Sequence, residues 1–274
     1  MHLPSITGVP FPGDSYTTPP GSATAWGKRL PSLTFFFKIL EIIRSEGVMA
    51  SSGTYAGAEW GRASMRVLRA LEESGCSVNV EGLENVSRTE SPCVFIGNHM
   101  STLETFVLPI FIQPRREVTF VVKESLMNTP FFKYVLMSRN PIVVGRSNPR
   151  QDLTAVLEGG EERLKNGTSI IIFPQSTRST QLVADQFNSI GVKLARRAKV
   201  PVVPVALRTD AWAQGIAPLK DFGPIHPDIP VTVNFGEPFM VEGNGKAEHA
   251  RVYEFIASHL TTWGLPPVEK LPES

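Results

Sequence analysis

The chain has 274 residues, of which 42% are apolar and 19% are charged, so it can bury a substantial core and is not a disordered protein. Its 27 basic and 26 acidic residues give a formal net charge of +1, and this balance indicates no nucleic-acid partner. The two cysteines, Cys76 and Cys93, lack the spacing of a zinc site or a disulfide framework. We therefore expect no metal and no bound cofactor, and we expect reduced thiols in a cytoplasmic compartment.

The N-terminal part of the sequence divides into an arm and a helical segment. Residues 1–32 are rich in Pro, Gly, Ser and Thr, lack a secretory signal and predict an irregular arm. Residues 33–75 predict two helices, the first with apolar residues at helical spacing from Leu33 to Ile43 and an end at Gly47. This apolar run is too short to cross a bilayer, which takes about 20 residues. Its phenylalanines and nearby cations fit a membrane-docking helix, although packing on its own domain fits equally well.

Residues 76–264 predict one α/β domain, followed by a proline-rich tail at 265–274. Short β-type runs alternate with helical patterns, which favours a mixed, largely parallel central sheet flanked by helices. One run, Val200–Leu207, contains two prolines that cannot donate ladder hydrogen bonds, so we expect it to lie at a sheet edge or to start irregularly. The predicted strands are Val78–Glu81, Cys93–Ile96, Val118–Val122, Ile142–Val144, Ser169–Phe173, Val202–Leu207 and Val231–Phe235.

A histidine follows the second of these strands, in the segment VFIGNHMSTLE. His99 lies where the strand ends, which is the position at which α/β sheets bind ligands. The pattern predicts a helix that begins after His99, with Ser101 as its N-cap, so that Glu104 is able to reach the imidazole. A histidine held in this way is able to act as a general base. The same spacing equally fits a capping box, in which Glu104 binds the Ser101 backbone N–H instead.

Polar and cationic residues follow three further predicted strands. Lys123 follows the strand ending at Val122, and Gly145 with Arg146 follows the strand ending at Val144. The loop after Phe173 carries Gln175, Ser176, Thr177 and Arg178. If these strands are neighbours, their cations form one anion pocket beside His99. For the loop after Phe173, an ordinary solvated turn with a surface arginine is an equally good explanation.

Four segments in order, between about Val80 and Thr209, resemble the glycerolipid acyltransferases, the family of the 1-acylglycerol-3-phosphate acyltransferases (PlsC-like). Asn98–Glu104 is similar to that family's NHx4D motif, and Gly145-Arg146 to its second block. FPQSTRS, residues 173–179, resembles the FPEGTRS block, and VPVVP, residues 200–204, resembles the VPIVP block. The resemblance implies a histidine base oriented by the acid, with Arg146 and Arg178, and also Lys123, on the acceptor phosphate.

The sequence departs from the family pattern at four positions. Glu104 replaces the usual Asp, and its extra methylene requires a helix start set slightly further along the chain. Gln175 and Ser176 replace Glu and Gly, which predicts a changed acceptor headgroup or a weaker enzyme, because an amide accepts hydrogen bonds less strongly than a carboxylate. Ser189 stands where many relatives carry a basic residue.

The resemblance implies an enzyme that transfers a fatty acyl group from acyl-CoA or acyl-carrier protein to the free hydroxyl of a lysophospholipid. It further implies a protein that is peripheral on the inner face of the cytoplasmic membrane. A lipid-binding protein that keeps the fold but has lost activity is the main alternative. A hydrolase is less favoured, because no GxSxG nucleophile or metal cluster accompanies His99.

Overall fold

The computed structural model describes residues 10–175, 177–216 and 220–266. Within these residues the strands form one eight-stranded sheet in the order β1-β2-β8-β7-β3-β6-β4-β5. Most neighbouring pairs are parallel; β1–β2 and β7–β8 are antiparallel. The predicted mixed, largely parallel sheet is therefore confirmed. The strands are β1 (Tyr16–Thr17), β2 (Val78–Glu81), β3 (Val94–Gly97), β4 (Val118–Lys123), β5 (Ile142–Val144), β6 (Ser169–Ile172), β7 (Val202–Arg208) and β8 (Val231–Phe235).

Helices cover both faces of this sheet, because its strands are apolar on both sides. One apolar cluster lies between the sheet and α2, α3, α5 and α6, and a second lies between the sheet and α7, α8 and α9. The helices are α1 (Ala25–Arg29), α2 (Pro31–Ser51), α3 (Gly57–Glu73), α4 (Leu83–Ser87), α5 (Leu103–Ile112), α6 (Phe132–Ser138), α7 (Pro149–Lys165), α8 (Ile190–Ala198) and α9 (Lys246–Thr262).

The N-terminal arm is more ordered than the sequence predicts. Residues 1–9 lie outside the described part of the chain, but β1 pairs with β2 and α1 precedes α2 within the segment expected to be irregular. The Tyr16 hydroxyl donates to the Glu72 carboxylate of α3 at 2.5 Å. This tertiary contact orders a segment whose composition alone favours loops. Among the described helices, none is both long enough and apolar enough to cross a bilayer.

The predicted end of the first helix at Gly47 is wrong, because α2 continues to Ser51. Gly47 instead lies where α2 meets the start of α6. A Cβ atom built on Gly47 would come within 2.4 Å of the Phe131 Cβ and 2.8 Å of its backbone oxygen. The glycine is therefore a close-packing residue in the helix interior, where its lack of a side chain lets the two segments approach.

Of the two expectations for the proline-containing strand, an edge position or an irregular start, the edge position is wrong, because β7 lies between β8 and β3 in the centre of the sheet. Val205 pairs with Phe235 of β8, and Val202 pairs with Phe239 further on. Between these two pairings the neighbouring chain turns, and the Gly236 N–H donates to the Pro204 carbonyl at 2.8 Å. Pro204 has no N–H to donate, but it lies where the hydrogen-bond ladder between β7 and the neighbouring chain is already interrupted. The usual cost of proline in a central strand is therefore removed.

We predict that Gly47→Ala destabilises the protein by about 1–3 kcal/mol, because the added methyl group must displace Phe131. The matched control is Gly61→Ala in α3, where a Cβ would meet only the Pro114 Cγ at 4.0 Å. That change should stabilise the protein by roughly 0.5–1 kcal/mol through helix propensity. Urea unfolding measures both values. Equal stabilisation by the two changes would contradict the close packing of α2 against Phe131.

Candidate active site

Four parallel strands deliver the candidate residues to one edge of the sheet. β3, β6, β4 and β5 are consecutive neighbours, so their carboxyl ends lie side by side. His99 follows β3, Gln175 follows β6, Lys123 ends β4 and Arg146 follows β5. These strands are therefore neighbours, as a shared pocket at this edge requires.

His99 and Glu104 are in direct contact. The His99 Nδ1 lies 2.7 Å from the Glu104 Oε1. An ionised carboxylate only accepts hydrogen bonds, so Nδ1 carries the proton and Nε2 keeps its lone pair. The contact is possible because α5 begins at Leu103, after Thr102 as N-cap, one residue later than the sequence predicts.

The capping interaction and the histidine contact occur together, although the sequence offers them as alternatives. The Glu104 carboxylate also accepts from the backbone N–H groups of Met100 at 2.8 Å and Ser101 at 3.1 Å. The Thr209 hydroxyl, at the end of β7, donates to it at 2.6 Å. Sequence reasoning did not identify Thr209, because this partner lies 105 positions further along the chain. One carboxylate therefore orients the ring and fixes the turn that carries it.

Glu104 is fully buried, with 0% of its surface exposed. Burial by itself raises the pKa of this carboxyl, but the hydrogen bonds from His99 and Thr209 and the contribution of the histidine charge outweigh burial and lower the pKa below its usual value. The carboxylate is thus charged at neutral pH, as orientation of a neutral imidazole requires.

The backbone around His99 is fixed from both sides. The Asn98 amide donates to the Leu207 carbonyl at 2.8 Å and accepts from the Leu207 N–H at 2.9 Å, which ties the end of β3 to β7. On the other side the Gln175 Oε1 accepts from the His99 N–H at 2.8 Å, and the His99 carbonyl accepts from the Ser179 N–H at 2.8 Å. The ring itself stacks on Phe173, with centroids 4.6 Å apart. The position of His99 and the plane of its imidazole ring are therefore both fixed.

Gln175 has a structural role that the sequence did not indicate. Its side chain is 2% exposed, and its Nε2 donates to the Gln181 carbonyl at 3.3 Å while its Oε1 holds the His99 N–H. A glutamate would keep the acceptor but lose this donor. The amide that departs from the family pattern therefore fits its surroundings, where it joins the loop after β6 to His99.

Lys123 and Arg146 line the same cavity as His99. Arg146 has a positive φ of 62°, and the Asp152 carboxylate of α7 holds this turn by accepting from the Gly145 and Arg146 N–H groups, each at 2.9 Å. Gly145 thus contributes its backbone to the turn. Asp152, which sequence reasoning missed, is recognisable as an acid in the first turn of α7, close after the Gly-Arg pair.

Arg178 does not join this group. Its guanidinium pairs with Asp221 at 2.5 Å and donates to the Thr102 hydroxyl, and the residue lies outside the cavity lining. Thr177 is exposed and also lies outside the lining. Ser176 falls outside the described residues. Of the three polar residues after Phe173 that the structure describes, only Gln175 lines the cavity.

The cavity has a volume of about 590 Å³ and extends from His99 into the apolar cluster beneath α2 and α3. Its buried part is lined by carbon-rich side chains, including Ile42, Trp60, Val67, Phe120 and Leu136. Lys123 and Arg146 are exposed and lie at its solvent end. The site thus combines an apolar interior, a carboxylate-oriented imidazole and cations.

The structure defines a mixed α/β protein that presents a histidine–carboxylate pair at the carboxyl edge of its sheet. Residues 77–208 match the family model described as Acyltransferase. The 1-acyl-sn-glycerol-3-phosphate acyltransferase of Pseudomonas aeruginosa is 34% identical over 185 residues, which cover 68% of this chain and 65% of that protein. The enzyme of the same name from Saccharomyces cerevisiae is 32% identical over 135 residues, covering 48% of this chain and 43% of that protein.

The fold agrees with a solved relative. The crystal structure of the 1-acyl-sn-glycerophosphate (LPA) acyltransferase PlsC from Thermotoga maritima superposes with a TM-score of 0.64 at 22% identity, covering 86% of this chain and 96% of that one. The family-model match and these relatives confirm the resemblance to the PlsC-like acyltransferases that the motifs predict. The matched segments span less than two thirds of the Pseudomonas and yeast proteins.

We predict that the Glu104 charge makes stability depend on pH. Because its pKa is lowered on folding from the usual 4.5, its stabilising contribution is fully present above about pH 5.5 and is lost as the pH falls through 4.5 and below. The difference in the free energy of unfolding between the parent and Glu104→Gln should therefore shrink from pH 7 to pH 4, as urea unfolding measures. A constant difference over that range would contradict a lowered pKa.

Proposed function

We propose that the protein is an O-acyltransferase that moves a fatty acyl group from acyl-CoA or acyl-carrier protein to the free hydroxyl of a lysophospholipid. The observation that carries this proposal is the His99–Glu104 contact, which leaves Nε2 as an acceptor at an apolar cavity. The match to the Acyltransferase family model supports it, as do the Pseudomonas and yeast relatives, which are both 1-acyl-sn-glycerol-3-phosphate acyltransferases.

In the proposed reaction, His99 Nε2 takes the proton from the acceptor hydroxyl as its oxygen attacks the thioester carbonyl carbon. Glu104 stabilises the imidazolium that forms. The carbon–sulfur bond then breaks, the new ester bond remains, and the imidazolium returns its proton to the departing thiolate. The acyl chain lies in the apolar part of the cavity, where burial of each methylene contributes about 0.8 kcal/mol. Lys123 and Arg146 bind the acceptor phosphate.

We predict that His99→Ala lowers kcat/KM about 10²- to 10⁴-fold, because the general base is removed. Free thiol release from acyl-CoA in the presence of lysophosphatidic acid measures the rate, and acyl-carrier protein tests the second donor. The matched control is His226→Ala, an exposed histidine outside the cavity lining, which should leave the rate unchanged. Full activity of His99→Ala would contradict the mechanism. Lipid binding without turnover by the parent would favour the lipid-binding alternative.

We further propose that α2 docks the protein on a membrane surface. One face of α2, with Phe35, Ile39 and Ile42, is buried in the domain. Leu33, Phe37 and Leu40 lie four and three positions apart, so they share another face of the helix. All three are exposed, and the exposed fraction of Phe37 is 64%. The two interpretations of this helix are therefore compatible, since one face packs on the domain and another stays available to lipid. Phe131, Tyr134 and Met137 expose further apolar surface on the adjacent α6.

We predict that Phe37→Ser weakens binding to phospholipid vesicles about tenfold, because insertion of one large apolar side chain contributes about 1.5–3 kcal/mol. Vesicle flotation measures the bound fraction. Met240→Ser, which changes an apolar side chain that is 51% exposed outside α1, α2 and α6, is the control and should bind as the parent does. Equal loss in both variants, or in neither, would argue against docking through α2.

A further inference from the structure

The first turn of α8 contributes to the same cavity as His99. Ser189 precedes the helix and Lys193 follows one turn later, and both line the cavity. Residues four positions apart share one helix face. The helix is held closely against the sheet, since a Cβ on Gly191 would come within 2.7 Å of the Ile96 Cδ1 on β3. The closely packed helix α8 therefore places Lys193 at the cavity. Ser189, at the position where many relatives carry a basic residue, has no charge.

Lys193 differs from the arginines that follow it on α8. Arg197 pairs with Glu161 at 2.7 Å, and Arg196 donates to the Gly243 carbonyl at 3.4 Å. Within the described residues the Lys193 ammonium makes no such contact. The first turn of α8 also carries no acidic residue, so the positive end of the helix disfavours a cation there. The fold alone gives no structural reason for this lysine.

The described lining of the cavity carries two carboxylates, Glu46 and Asp152, and four basic side chains, Lys123, Arg139, Arg146 and Lys193. Of these four, Lys123, Arg146 and Lys193 are exposed. Asp152 already accepts from two backbone N–H groups. Arg178, the other expected cation, is neutralised by Asp221 outside the cavity. The exposed cations that line the cavity therefore include Lys193, which the motifs do not indicate, and exclude Arg178, which they do.

We infer that Lys193 is a specificity-determining residue that binds the acceptor phosphate together with Lys123 and Arg146. This inference rests on the proposed function. In a lysophosphatidic acid only two carbons separate the sn-2 hydroxyl from the phosphate ester oxygen, so the phosphate of an acceptor bound at His99 stays inside the same cavity, where cations of the lining are its candidate ligands. In acyl-CoA the long pantetheine arm separates the thioester from the phosphates, which therefore lie further from the imidazole.

The experiment compares Lys193→Gln with Arg196→Gln, which removes one positive charge from the same helix outside the cavity lining. Equilibrium binding of lysophosphatidic acid is measured without donor, below its micellar concentration, and KM is then measured for both substrates. We expect Lys193→Gln to weaken binding and raise the acceptor KM about tenfold, with kcat nearly unchanged. Lys193→Arg should retain most of the affinity. A monoacylglycerol, which lacks the phosphate, should bind both variants equally.

Two results would overturn the inference: equal acceptor affinity in Lys193→Gln and Arg196→Gln, or a rise in the KM of acyl-CoA alone, which would assign Lys193 to the donor phosphates. The proposed function fails separately. A parent protein that binds lysophosphatidic acid through Lys193 but transfers no acyl group would contradict the acyltransferase proposal and would still support the assignment of Lys193.

Discussion

A charged carboxylate with 0% exposure, held only by hydrogen bonds to neutral or conditionally charged groups, is the constraint on which the site depends. Among the described residues no lysine or arginine pairs with Glu104, so its burial depends on the hydrogen bonds from His99, the Met100 and Ser101 N–H groups and Thr209. These donors come from the end of β3, the following turn and the end of β7. The carboxylate therefore couples the geometry of the imidazole to the pairing of two central strands.

Strand order explains why much of the site could be predicted. Apolar runs such as Ile170–Ile172 identify strands locally, and polar residues at their ends identify a shared edge once the strands are parallel neighbours. His99, Lys123 and Arg146 follow from this rule, and the family resemblance supplies their order of importance. The His99–Glu104 contact needed more, because spacing alone equally allowed a capping box. The structure shows that one carboxylate satisfies both.

The parts that could not be predicted depend on contacts distant in sequence. By its local sequence Gly47 looks like the end of a helix, and only the close approach of Phe131 explains why a glycine stands there inside α2. Pro204 is tolerated in a central strand because the neighbouring chain turns at Gly236. Arg178 matches the motif position of a phosphate ligand, and the structure pairs it with Asp221, 43 positions later, which the motif does not indicate. In each case the local sequence pattern indicates one role for the residue, and a partner distant in sequence gives it another.

Gln175 shows how a departure from a family motif should be interpreted. By sequence it looks like a weakened ligand, since an amide accepts less strongly than a carboxylate. In the structure both ends of the amide are used inside the protein, with Oε1 on the His99 N–H and Nε2 on the Gln181 carbonyl. The second contact requires a donor, which glutamate lacks when ionised. The substitution therefore alters how the loop after β6 is joined to the histidine.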